Sequence, residues 1–247
     1  MAARTRVFSD ARLSAGESFS LPAEEKHHLF KVLRARHGET IEVVDGSGRL
    51  FLAELTGDRG ATVTEERPAP ADEGRVTLYQ AVPKGRHMDL IVEKATELGV
   101  GAVVPLATEH GVVRLDRGDA KVERWRRVAL AAARQSRRLR VPEVRDAVPF
   151  AEAVREAGGA GVLLHNGPGL PPVEDVASGD AVSLFVGPEG GFGEGELDLA
   201  QEEGVALASL GPFRLRSETA GMVAVARVCA VVGRSAEGKA GSVERRP

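Results

Sequence analysis

Three stretches hold the side chains best suited to chemistry, and each ends an apolar run. "GVLLHNGPG" reaches Leu164, His165 and Asn166. "LFVGPEGGFGEGE", residues 184–196, passes through Gly187, Pro188, Glu189, Gly190 and Gly191. "ASLGPFRLRSETA" runs from Leu210, Gly211 and Pro212 through Arg214, Leu215 and Arg216 to Ser217, Glu218 and Thr219. Glycine-rich loops commonly cradle phosphates, but the loop at 184–196 lacks Lys, Ser and Thr, and Glu189 would oppose an anion. A cationic or neutral polar ligand fits better, with glycine allowing close backbone approach. The same glycines also suit a tight turn that needs only positive φ. Arg214 and Arg216 carry guanidinium forks suited to phosphate or carboxylate. They equally suit the surface of a helix start that Ser217 caps. Glu218 and Thr219 fall in the first turn, where the helix dipole favours a carboxylate.

Familiar nucleotide fingerprints are absent. No G-x-x-x-x-G-K-[ST] occurs, and after Gly191 and Gly193 the third glycine of G-x-G-x-x-G is replaced by Glu196. His27 and His28 are adjacent and point apart on a helix, and His87, His110 and His165 are isolated. With one cysteine and no H-x-x-x-H, no metal site is expected. No Ser/His/Asp set is identifiable.

Two basic segments stand out on a chain of net charge −3. Between Arg114 and Arg145 eleven basic residues face four acidic ones, a local excess of +7. Arg134, Arg137 and Arg138 lie in this strip. Lys26, Lys31, Arg34 and Arg36 surround His27 and His28 in the second segment. Both fit contact with an anionic backbone, and both fit a solvated charged helix.

The elements that must position these residues are legible from periodicity. Residues 1–72 read as a small β-barrel domain, with "TIEVVDGSGRLFLAEL" as a hairpin and "ATVTEE" as a further strand. One helix is predicted in "PAEEKHHLFKVLRAR", with Leu29, Val32 and Leu33 on one face. "ERPAPADEGR", residues 66–75, reads as a linker. Residues 73–233 then alternate strand and helix, which predicts a mostly parallel α/β sheet with ligands beyond the carboxyl ends of its strands. Strands are predicted in "VTLYQAV", "AVVPL", "GVLLH", "AVSLFVG" and "VALASLG". Helices are predicted in "HMDLIVEKATELG", "KVERWRRVALAAARQSRR", "PFAEAVREAG", "EGELDLAQEEG" and "SETAGMVAVARVCAVVG". The last is apolar on nearly every side, which predicts burial all round, in the domain and at a subunit interface. Residues 234–247 read as a disordered tail.

A length of 247 residues suits two unequal domains, and 43% hydrophobic residues suffice for a core. With only 4% aromatic residues, that core must be mostly Val, Leu, Ala and Ile. No run approaches a membrane span, and the opening "MAARTRVFSD" lacks an apolar signal core, so a cytoplasmic location is expected. Cys229, in an apolar run, reads as a buried structural thiol.

Five stretches occur in order: "HHLFKVLRARHGETIEVVDGSG", "EKATELGVGAVVPL", "RWRRVALAAARQSRRLRVPEV", "LFVGPEGGFGEGEL" and "LGPFRLRSETA". Together they resemble the bacterial small-subunit (16S) ribosomal RNA uracil-N3-methyltransferase family of the SPOUT superfamily, across nearly the whole chain. The resemblance implies a PUA-like RNA-binding barrel followed by a trefoil-knotted α/β methyltransferase domain, working as a homodimer. It implies that S-adenosylmethionine sits among Leu164, His165, Gly187, Pro188, Glu189, Gly190, Gly191, Leu210, Gly211, Pro212, Leu215 and Thr219. RNA contacts would fall to Lys26, His27, Lys31, Arg34, Arg36, Arg134, Arg137 and Arg138. Arg216, Ser217 and Glu218 match the family's Arg-Thr-Glu stretch, and Gln135, Ser136 and Arg138 its Gln-Ser-x-Arg stretch. The chain departs from the pattern at Phe213, where arginine is frequent, and at Arg137, where glycine is common.

The expected chemistry is removal of the N3 proton as the methyl arrives. The negative charge spreads to O2 and O4, where an arginine would stabilise it. Arg216 is the first choice for that donor and Arg138, from the partner subunit, the second. Glu218 would accept the proton or order Arg216. The alternatives are a SPOUT enzyme acting on another RNA such as tRNA, and a non-catalytic RNA-binding assembly factor of the ribosome.

Overall fold

The structure, a computed structural model, describes residues 5–57, 60–68, 74–112 and 119–240. Arg114 and Arg117 of the basic strip, and much of the linker, lie outside these residues. The chain divides into two compact units, Met1–Asp72 with Arg134–Arg140, and Glu73–Ala133 with Val141–Pro247.

The first unit holds β1 (Arg6–Phe8), β2 (Ser18–Ser20), α1 (Ala23–His27), β3 (Thr40–Val44), β4 (Leu50–Leu55) and β5 (Gly60–Arg67). The strands order as β1-β3-β4-β5-β2, with β1 parallel to β3 and the other pairs antiparallel. β3 and β4 form the predicted hairpin. Val7, Leu13, Leu29, Phe51 and Leu55 fill the core. β1 and β2 are too short for their alternation to show in the sequence.

The hairpin turn is organised by the buried Asp45 carboxylate. Oδ1 accepts from the Ser47 backbone N–H (2.9 Å), Ser47 Oγ (2.7 Å) and the Arg49 N–H (3.0 Å). Oδ2 accepts from the Leu13 N–H (3.2 Å) and Arg49 Nη2 (3.0 Å). Gly48, at φ 83°, closes the turn in a conformation that favours glycine.

The predicted helix at 22–36 is shorter than its apolar face suggested. After α1 the chain passes through a π-turn, His28–Val32, and Arg34 adopts φ 56°. The Ala35 N–H reaches back to the Leu29 carbonyl (2.9 Å), a helix-ending closure around a left-handed residue. Leu29 is therefore buried, whereas Val32 and Leu33, expected beside it, are exposed.

Arg134–Arg140 belongs to this unit through ion pairs. Arg6 donates to Glu42 Oε2 (Nη2, 2.7 Å) and hydrogen-bonds the Arg137 carbonyl. Arg137 Nη2 reaches the same carboxylate (2.7 and 2.8 Å). Burial pushes the Glu42 carboxyl up, but its hydrogen bonds to Arg6 and Arg137 outweigh this and lower its pKa. Arg137 has φ 60°, a left-handed conformation that glycine adopts more readily than arginine.

The second unit contains β6 (Val76–Ala81), α2 (His87–Glu97), β7 (Ala102–Ala107), α3 (Ala120–Gln135), β8 (Glu143–Val144), β9 (Val148–Pro149), α4 (Phe150–Ala157), β10 (Gly161–Leu164), α5 (Val173–Val176), β11 (Val182–Val186), α6 (Glu194–Glu202), β12 (Ala206–Ala208) and α7 (Ser217–Ala240). Only the last two residues of α3 count with the first unit. Among the described residues the sheet is parallel throughout, ordered β12-β10-β11-β6-β7-β8, with β9 also on β7. Strand alternation sends Val182, Leu184 and Val186 into one core with α2 and α7. It sends Phe185 into another with α4 and α6. There Tyr79 and Phe185 stack, ring centroids 4.7 Å apart, beside Phe150 and Phe192. Four of the ten aromatic residues thus gather in this one core.

Helix α7 is two-sided, not buried all round. Ala224, Val225, Val228 and Val232 are buried, while Met222, Val223, Ala226 and Cys229 are half-buried. The helix is described to Ala240, past the expected start of the tail at 234. No helix among the described residues is long and apolar enough to cross a membrane.

The Asp45 turn makes a pH prediction. Burial pushes its carboxyl up, but the hydrogen bonds from Ser47 Oγ and the Arg49, Leu13 and Ser47 N–H groups prevail, holding it at about 2 against an ordinary 3.8. A depressed carboxyl stabilises the fold above its unfolded pKa and loses that contribution as pH falls through 3.8 towards 2. Asp45→Ala is expected to cost about 2–3 kcal/mol at pH 7 and much less near pH 2, read by urea unfolding at both.

Candidate functional site

In the second unit the carboxyl ends of β10, β11 and β12 are side by side, because β10 lies between the other two. Together with the first turn of α7 they frame a cleft of about 670 Å³. Leu164 and His165 line it from β10, and Gly187, Pro188, Glu189, Gly190 and Gly191 from the loop after β11. Leu210, Leu215 and Arg216 line it from the loop after β12. Nine of the twelve predicted cofactor residues, and Arg216, the expected catalytic arginine, are therefore brought together. Gly211 and Pro212 instead line an adjoining cleft, and Thr219 lines neither. Asn166, Val186, Phe192, Arg214, Ser217 and Ala220 complete the first cleft. Arg214 was visible in the sequence as a guanidinium beside the helix start; Val186 and Ala220 carried no signal beyond apolarity.

The glycine loop is held from several sides. Ser217 Oγ donates to the Gly187 carbonyl (2.6 Å) and accepts from Gln80 Nε2 (2.9 Å). Ser217 was expected to cap its own helix; it is instead the first residue of α7, and its Oγ accepts from Gln80 while its proton goes to the loop. The Lys84 N–H donates to Glu189 Oε1 (3.3 Å), and Arg214 Nη2 to the Glu189 carbonyl (3.0 Å). His110 Nδ1 lies 3.2 Å from the Gly191 carbonyl. Glu196 accepts from the Gly193 and Glu109 N–H groups, both at 2.9 Å.

The turn reading of the glycines holds at Gly191, while Gly190 is packed against a side chain of the fold. Gly191 has φ 77°, and its N–H closes a turn on the Pro188 carbonyl (2.9 Å), so it serves the turn. Gly190 allows close approach, since an added Cβ would come within 3.2 Å of His110 Cβ. The acidic Glu189 carboxylate at this loop, with apolar Leu164, Val186 and Leu215 opposite, suits a ligand with an apolar body and a positive charge.

The remaining predicted residues divide. The Arg216 side chain is exposed and has no carboxylate partner among the described residues. Glu218 does not order it: Glu218 Oε1 faces His87 Nδ1 at 3.7 Å. Arg138 is only 8% exposed and belongs to the first unit. Arg134 pairs with the buried Glu25 (2.5 Å) and Arg137 with Glu42, so both carry structural roles the sequence did not reveal. Arg124 pairs with Asp89, and Arg126 with Glu123 and Asp146. His27, Lys31, Arg34 and Arg36 are exposed, and Lys26 is half-buried with Nζ on Ser20 Oγ (2.8 Å). Among the described residues no cluster of three or more His, Cys, Asp or Glu could hold a metal ion.

Two families of known proteins match successive parts of the chain. Residues 70–229 match the RNA methyltransferase domain family, and residues 21–66 the RNA methyltransferase PUA domain family. Ribosomal RNA small subunit methyltransferase E of Mycobacterium bovis is 35% identical over 240 residues, covering 92% of each chain. That of Bacillus subtilis is 30% identical over 237 residues, covering 88% of this chain and 91% of the relative. The crystal structure of a ribosomal RNA small subunit methyltransferase E from Neisseria gonorrhoeae, bound to S-adenosyl methionine, is 31% identical with a TM-score of 0.81. The match covers 91% of this chain and 96% of that one.

The Ser217 link is directly testable. Ser217→Ala would strip the Gly187 carbonyl of its donor and Gln80 Nε2 of an acceptor. The expected loss is about 1–3 kcal/mol in urea unfolding, with Ser217→Thr retaining part of it.

Proposed function

We propose that this chain, which belongs to the ribosomal RNA small subunit methyltransferase E family, transfers a methyl group from S-adenosylmethionine to N3 of a uridine in small-subunit ribosomal RNA. The observation that carries this reading is the cleft at the ends of β10, β11 and β12, where an acidic glycine-rich loop faces the exposed Arg216. Its residues fit the cofactor. Leu164, Val186, Leu210 and Leu215 offer apolar surface, and the loop backbone offers polar groups at close range. Glu189 supplies negative charge suited to a sulfonium. When bound, S-adenosylmethionine supplies an electrophilic methyl group. The strand order, with β11 between β6 and β10, supports the knotted arrangement that the family resemblance implies.

The chain's own residues then have separable tasks. Arg216 donates to O2 or O4 of the uracil and stabilises the charge left when the N3 proton departs. Arg214, fixed by the Glu189 carbonyl, is a second guanidinium in the cleft wall. Arg138 keeps its expected role only across a subunit boundary, in a homodimer. Exposed Leu90 on α2 and Leu98 just after it, with the half-buried Met222 and Val223 on α7, support such a dimer. Glu218, turned to His87, is left with proton acceptance rather than the ordering of Arg216. His27, Lys31, Arg34 and Arg36 contact RNA phosphates from the PUA domain, so RNA affinity falls steeply with salt.

Incubation with labelled S-adenosylmethionine and small-subunit RNA, followed by nucleoside mapping, tests the whole reading. N3-methyluridine is expected; another nucleoside, label in tRNA alone, or no label contradicts it. Arg216→Ala is expected to lower kcat by roughly 10²–10³-fold while cofactor affinity, measured by calorimetry, stays unchanged. Gly190→Val displaces His110 and is expected to weaken cofactor binding on the order of tenfold before RNA binding changes.

A further inference from the structure

Phe213 is 80% exposed, the most exposed of the large apolar side chains among the described residues. Tyr79, Phe150, Phe185 and Phe192 are by contrast buried together. Leaving a phenyl ring in water forgoes roughly 2 kcal/mol of burial, so its position calls for an occupant. Its loop is braced at several points. Ser209 Oγ bonds both the N–H and the carbonyl of Gly211, each at 3.1 Å. Arg227, paired with Glu174, donates to the Leu210 carbonyl (2.9 Å). Arg214, next to the ring, is tied to the Glu189 carbonyl. Gly211 has φ 128°, which sets the chain direction just before the ring.

Phe213 lines the adjoining cleft of about 720 Å³, which shares Asn166 and Arg214 with the first. An occupant of the second cleft would therefore be an immediate neighbour of whatever reacts in the first. The chemistry is that of a single-stranded nucleic-acid site: an aromatic face, an adjacent guanidinium, and an amide able to read a base edge. A uracil must leave its stack before N3 is accessible, and the strand around it loses stacking partners. Pro168, Leu170, Pro172 and Pro212 line the same cleft, but so do the Arg214 guanidinium and the Asn166 amide, and that mixture suits a nucleic-acid strand better than an apolar subunit contact.

We propose that Phe213 stacks on an unpaired base of the RNA strand whose uridine is methylated in the first cleft. The proposal rests on the methyltransferase reading above and adds a residue where the family pattern has arginine.

Kinetics on small-subunit RNA give one test. Phe213→Ala and Phe213→Leu are expected to raise KM for RNA roughly 5- to 150-fold, with kcat and cofactor affinity little changed. Phe213→Tyr is expected to restore KM, because a π face rather than apolar bulk is required. Emission of Phe213→Trp is expected to quench on adding oligouridylate, and Trp125, buried and bonded to Asp89, is expected to respond little. An unchanged KM in Phe213→Ala, equal KM values in the Leu and Tyr variants, or absence of quenching overturns the proposal. So does conversion of a dimer to monomer by Phe213→Ala, measured by sedimentation. Failure of the wild type to methylate the RNA sinks the methyltransferase reading instead, and quenching still decides the stacking.

Discussion

The hydroxyl of Ser217 has a single proton, and the cleft depends on where that proton goes. Because it is donated to the Gly187 carbonyl, the oxygen must accept, and the buried amide of Gln80 supplies the donor. A directional chain thus runs from the end of β6 through the start of α7 to the first residue of the glycine loop. Gln80 is fully buried, and its Oε1 has no hydrogen-bond partner among the described residues, a costly arrangement. The helix comes so near that a Cβ at Gly221 would stand 2.4 Å from that oxygen. With glycine at 221, α7 approaches the sheet without displacing the Gln80 amide, and Arg216 and Ala220 stand in the cleft wall.

Charge is organised by a similar economy of partners. A strip of eleven basic residues suggests a continuous anion-binding face, yet most of its described members are committed inside the fold. Arg134 answers a carboxylate buried in α1, and Arg137 shares Glu42 with Arg6. These pairs join a segment from the middle of the chain to the first unit. Removing either partner would leave a buried or half-buried charge uncompensated, so these arginines have structural work independent of RNA. The exposed cations near α1 and the exposed Arg216 are better placed to meet an anionic partner.

Much of the fold was legible because it rests on local periodicity. The stripe of Met88, Ile91, Val92 and Ala95 marks α2, and each is buried. The Asp45-Gly46-Ser47-Gly48 turn marks the β3-β4 hairpin, and alternating strands and helices mark the parallel sheet. Val32 and Leu33 were misplaced because a π-turn and a left-handed Arg34 break the phase that a regular helix would keep. β1, β2, β8, β9 and α5 are too short to show a period.

The sequence alone determined that a glycine-rich, acidic loop and an Arg-Ser-Glu helix start follow two strands of an α/β sheet, since residue types and short-range spacing suffice for that. It also determined that the glycines at 187–191 could take the positive φ of a turn, which other residues adopt less readily. Tertiary structure decided which strand ends are neighbours. The order β12-β10-β11-β6 joins loops far apart in the chain into one cleft, and no local pattern encodes it. Tertiary structure likewise decided that Ser217 bonds the loop rather than its own helix, that Glu218 faces His87, and that Arg137 serves Glu42. A hydrogen bond or ion pair goes to the partner that packing brings within about 3 Å, and that distance is set only once the whole sheet has formed.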